Sequence, residues 1–156
     1  MSMSPVKLVS TALLVASVTA AHATLGGPES SVGNDGQAQA QPRALEQAAS
    51  SGVKALAVTD PMGTQITEYV YQGSVFAVVW TGRVIPNLYN LFGSNFQTYL
   101  NAAQNRPPMG VNAPVSVRTK QLVAHTFGHM GDYRGSAYVT TMVPPGFDVS
   151  SIGVIK

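Results

Sequence analysis

The sequence predicts an α+β fold, an antiparallel sheet of about five strands with one main helix packed on a face. Two observations carry this. Short runs rich in β-branched and aromatic residues, punctuated by Pro and Gly, stand on both sides of a single stretch with helical periodicity. The order of strands, then helix, then strands is that of an antiparallel sheet with a helix laid across it. The 156 residues suit one domain, and 45% hydrophobic side chains are enough for one core.

The first run, Lys54 to Thr59, is joined through Asp60-Pro61-Met62-Gly63 to a second, Thr64 to Tyr71, as a hairpin. In the second run Ile66, Glu68 and Val70 share one face, and Thr67, Tyr69 and Tyr71 the other. Gln72-Gly73 turns the chain into Val75 to Trp80, which has no polar break and reads as a central strand covered on both faces. Trp80 therefore belongs to the core, and Tyr69 and Tyr71 are the better candidates for an aromatic surface. After Pro86, Asn87 caps a helix whose apolar positions include Leu88, Leu91, Phe92, Phe96 and Tyr99. Gly93 and Ser94 weaken its middle, and Ser94 with Gln97 resembles a capping box, so a kink or restart is expected there. Val115 to Arg118 and Leu122 to Phe127 read as strand, Gly131 to Gly135 as a turn, and Ser136 to Met142 as a further strand. The tail from Val149 to Ile155 has no clear reading.

Two segments precede the domain. Lys7, the apolar run Leu8 to Ala20, and Ala21 and Ala23 flanking His22 have the grammar of a secretory signal over residues 1–23, cut after Ala23. The apolar run is shorter than the roughly 20 residues a spanning helix needs, so no transmembrane segment is expected after processing. The protein is accordingly expected to be exported, to the periplasm or the extracellular medium. Residues 24–52 are rich in Gly, Ser, Ala and Gln and read as a flexible leader, with at most a short helix around Arg43 to Ala49. The single α+β domain is assigned to residues 53–156.

Composition narrows the function. Nine Lys and Arg against seven Asp and Glu give a formal charge of +2, and charged residues are 10% of the chain against about 25% in an average soluble domain. A phosphate-tracking surface has little to draw on, and no nucleic-acid partner is expected. The absence of Cys excludes disulfides, thiolate chemistry and zinc–thiolate sites. No Gly-x-Ser-x-Gly, His-Glu-x-x-His or phosphate-loop motif occurs. The candidate chemistry is metal ligation by His125, His129 and Asp132, with Met130 beside them, since imidazole and thioether suit copper in an exported protein. Against it, residues four apart on a strand stand about 13 Å apart, and a His that holds a turn by hydrogen bonds explains the same pattern.

The stretch Glu68-Tyr69-Val70, Gly73, Val75-Phe76-Ala77-Val78, Trp80, Gly82, Pro86, Leu88, Leu91 and Gly93 resembles the bacterial family called domain of unknown function 2844. So do Gly128-His129-Met130, Gly135, Ala137-Tyr138, the loosely matched Val143-Pro144, and Leu25-Gly26-Gly27 after the signal. Phe127, where the family usually has a second Gly, and the Gln-rich leader depart from its pattern. The resemblance implies a small exported bacterial protein without an assigned activity, and it supplies no catalytic residues and no cofactor.

These readings converge on a non-enzymatic binding domain of the cell envelope that uses its sheet edge or open face. Its partner is expected to be an envelope or extracellular protein or glycan. The alternative is a small metal-binding protein or enzyme centred on His125, His129 and Asp132.

Overall fold

The computed structural model describes residues 25–34, 43–44, 52–105 and 113–152. Residues 1–23, which the sequence assigns to a signal, lie outside them.

Six strands form one antiparallel sheet: β2 (Lys54–Thr59), β3 (Gln65–Tyr71), β4 (Ser74–Gly82), β5 (Val115–Arg118), β6 (Leu122–His129) and β7 (Asp132–Val139). A two-residue strand, β1 (Arg43–Ala44), pairs with β2 at one margin, and the order across the sheet is β1-β2-β3-β4-β7-β6-β5. The expectation of about five strands is thus corrected to six. The segment assigned to a turn, Gly131 to Gly135, is chiefly strand, because the β6–β7 hairpin reverses at Met130-Gly131 and pairs His129 with Asp132. At its far end β7 stops at Val139, and Thr140–Met142 form a 3-10 turn where strand was expected.

Turn chemistry sets the register of the first strands. Asp60 accepts hydrogen bonds at Oδ1 from the backbone N–H groups of Met62 and Thr64, at 2.9 and 2.8 Å, and so closes the β2–β3 turn. Gln72 and Gly73 both take positive φ, +49° and +79°, as the tight β3–β4 hairpin requires. Between Tyr69 and Val70 the register shifts: Tyr69 faces Ala77 and Val70 faces Val75, which leaves Phe76 as a bulge. That bulge turns Phe76 to the sheet face opposite the helices, where it meets Phe147 edge-on at 5.3 Å between ring centroids.

The helix is broken as the sequence suggests: α1 spans Leu88–Phe92, a 3-10 turn Gly93–Asn95, and α2 Phe96–Gln104. Asn87 caps α1 by accepting from the Asn90 N–H at 3.2 Å. No capping box forms at Ser94 and Gln97; Asn95 stands at the cap position of α2 without a side-chain cap bond. Leu91, Phe92 and Tyr99 are buried on the sheet, with Phe92 against Trp80 at 5.8 Å and Tyr99 against Phe92 at 5.0 Å. Trp80 is fully buried, as its apolar run implied.

The domain begins earlier than its composition suggests. Residues 25–34, assigned to a flexible leader, are packed on it: Leu25 and Val32 are 1% exposed. The Leu25 N–H bonds the Leu91 carbonyl at 2.9 Å, the Gly26 N–H the Val75 carbonyl at 2.7 Å, and the Val75 N–H the Gly27 carbonyl at 2.8 Å. Asn95 adds a bond from Nδ2 to the Leu25 carbonyl at 2.9 Å. Leu25 thus pins α1, the 3-10 turn and the start of β4 together. Arg43–Ala44 are strand, not helix; residues 45–49 lie outside the described part.

The opposite sheet face is covered in part by the chain after β7. Ile152, in the 3-10 turn Val149–Ile152, is buried with Val53, Ala55 and Phe76, and Val143 and Phe147 pack against the same cluster. Tyr69 and Tyr71 are half-buried there and form no open aromatic platform. Burial raises the Tyr69 phenol above its ordinary value. No helix among the described residues is long and apolar enough to cross a membrane.

Candidate functional site

The C-terminal cover leaves the β5–β6–β7 end of that face exposed. An open groove of about 590 Å³ lies there, lined by Pro114, Val115, Ser116, His125, Thr126, Phe127 and Arg134. Alternation along the strands decides which side chains it receives. On β6, Leu122, Ala124 and Thr126 point to the helices, so Val123, His125, Phe127 and His129 point away from them.

His125 sits at the centre of this surface. Ser116 on β5 and Ser136 on β7 are directly opposite it, and directly opposed residues carry their Cβ atoms about 4.5–5.5 Å apart. Arg118 and Arg134 occupy two of its diagonal positions, one on each neighbouring strand. Among the described residues the buried His125 Nε2 and Ser136 Oγ have no hydrogen-bond partner. Burial first, and the nearby Arg118 charge second, hold the His125 pKa below its ordinary 6.5. The imidazole is therefore neutral near pH 7, with Nε2 uncommitted.

His129 and Asp132 face each other at the tip of the β6–β7 hairpin, and His125 lies four residues further down β6. The three do not converge. Asp132 is turned to Arg134, with Nε–Oδ1 at 3.0 Å and Nη2–Oδ2 at 3.2 Å, while His129 Nδ1 lies 3.3 Å from the Met130 carbonyl. Among the described residues no group of three or more His, Asp or Glu side chains is placed to hold a metal ion. Met130 is 90% exposed at the turn.

The same geometry bears on nucleophilic catalysis. Ser136 and His125 are neighbours, but a base needs a third group to orient it, and Asp132, the acid on β7, is committed to Arg134. Sequence reading found His125 and missed Ser116, Arg118, Arg134 and Ser136, which stand beside it only once three strands are in register.

Gly135 builds the site from beneath. It pairs with Trp80 across β4 and β7, and the Trp80 ring lies over it so closely that a Cβ there would collide with the indole carbons. The same Cβ would also stand 2.7 Å from the His125 carbonyl oxygen. The two neighbours of Gly135 in the sequence, Arg134 and Ser136, are thereby carried on the open face.

A family model described as Protein of unknown function (DUF2844) matches residues 21–152, nearly the whole chain. The protein belongs to this family. The match includes the docked residues 25–34 and the C-terminal cover as well as the sheet, so the DUF2844 unit is the domain with both of its flanking segments. No curated protein and no solved structure matches the chain.

Proposed function

We propose that this DUF2844 protein is an exported, non-catalytic binding module of the bacterial envelope, and that it takes an extended protein segment along β5 over the groove beside it. The observation that carries this reading is the position of the groove. It opens at β5, the terminal strand of the sheet, so a bound segment reaches both the groove and the outer backbone edge of β5. Among the described residues, Val115–Arg118 pair as a strand with β6 on one side and with no strand on the other. Strand addition extends such an edge and lets alternate side chains enter an adjoining groove. Pro114 and Phe127 supply apolar wall, and Ser116, His125 and Arg134 supply polar contacts that fix orientation.

Export rests on the apolar and small-residue pattern of residues 1–23. A near-neutral charge also favours association over mutual repulsion.

Selection of random octapeptides on the folded domain, followed by amide mapping of the enriched sequences, tests the reading. Saturable shifts at 115–118, 125–127 and 134 are expected. Peptides that instead map to the β1–β2 margin or to the outer surface of α2 contradict it.

A further inference from the structure

We propose that the open face around the groove is a carboxylate site, in which Arg118 and Arg134, on either side of His125, flank an acidic side chain of the bound segment. This rests on the strand-addition reading above and adds to it the chemistry of the partner.

The arrangement around His125 is a cross. Serines stand at the two directly opposed positions and arginines at two diagonals, which lie about 7–8 Å away, within reach of long side chains. Both guanidinium groups are solvent-exposed. Arg134 is held by Asp132, and Arg118 makes no ion pair among the described residues. The charges facing His125 are therefore Arg118 from β5, Arg134 from β7 and Asp132 behind Arg134, with His129 further along β6 and Tyr138 at the remaining β7 diagonal. Two cations and one acid leave the surface one charge positive around an imidazole that burial keeps neutral.

A planar carboxylate matches this donor set. Arg presents a fork of N–H donors to it, while His125, whose Nε2 is buried, lies between the two arginines and feels the charge they hold. The apolar wall of Pro114 and Phe127 adjoins these donors, which suits a segment alternating apolar and acidic residues. A carboxylate seated beside His125 also favours the imidazolium, so binding takes up a proton and tightens as the pH falls from about 7.5 to about 5.5, where carboxylates stay ionised.

The test uses two capped hexapeptides, alternating Val and Glu or alternating Val and Gln, with sodium acetate and inorganic phosphate as separate probes. The amides and the His125 imidazole are followed by NMR. The Val-Glu peptide is expected to shift 115–118 and His125 saturably, to bind at least tenfold tighter than the Val-Gln peptide, and to raise the His125 titration midpoint. Arg118→Gln and Arg134→Gln, both at exposed positions, should each weaken the Val-Glu peptide severalfold and leave the Val-Gln peptide unchanged. His125→Gln should remove the pH dependence. Equal binding of the two peptides at β5 overturns the carboxylate site and leaves strand addition standing. Shifts at His125 from acetate or phosphate, with no response of 115–118 to either peptide, overturn the peptide partner in favour of a small-anion site. No response to any probe overturns the carboxylate site, while peptides selected at random still decide strand addition separately.

Discussion

At Gly135 a missing side chain organises both faces of the sheet. Trp80 occupies the space a Cβ would take, and of the residues on either side of Gly135, Arg134 lines the groove and Ser136 stands buried opposite His125. Gly135→Ala should therefore cost about 3 kcal/mol or more, because the displaced indole is fully buried and overpacking a core is rarely absorbed. Chemical denaturation checks this, and loss of the near-ultraviolet signal of Trp80, the protein's one tryptophan, should accompany it. His125 supplies a second test. Its pKa is lowered on folding, so the unfolded chain binds more protons in the window below pH 6.5. Stability from this group is complete above 6.5 and is lost as the pH falls from there through the folded pKa. Denaturation midpoints between pH 7.5 and 5 should decline less in His125→Gln than in the parent. A residue without such ties behaves differently: Met130→Ser, at the exposed tip of the β6–β7 turn, should change stability by less than about 0.5 kcal/mol.

The segment from Leu25 to Asn34 is too poor in large apolar residues for composition to reveal it as structure. Its docking rests on Leu25 and Val32 together with backbone bonds to α1 and β4 that have no signature in residue type. Leu25→Ala should lower stability by about 2–5 kcal/mol, the range for emptying a buried leucine site, whereas an unattached leader would register no change. The ion pair of Glu29 with Lys54, 3.0 Å long and solvent-exposed, adds little, and Glu29→Gln should be nearly silent in the same assay. Strands β2 to β6 were legible because β-branched runs, Asp60-Pro61 and Gln72-Gly73 state their own boundaries. The β7 boundary was not. Gly131 and Gly135 look alike in sequence, yet one serves the turn and the other makes room for Trp80 across the sheet. For the same reason the candidate site was only partly legible: His125 stood out by its residue type, while Ser116, Arg118, Arg134 and Ser136 acquire meaning from the register of β5, β6 and β7.

For the whole molecule, the two sheet faces are used differently. One carries α1, α2 and the docked residues 25–34, and the other is closed by the chain after β7 only as far as Tyr138, leaving the β5 end open. The absence of Cys makes this asymmetry easy to interrogate, because any introduced thiol is unique. The most direct measurement places a thiol-reactive photo-cross-linker at Ser116→Cys on β5 and, as a control, at Gln97→Cys on the exposed side of α2, in cells producing the full chain. The account predicts a discrete protein adduct from position 116, suppressed by excess acidic peptide, and none from position 97. Adducts from position 97 alone, or none from position 116, would contradict it.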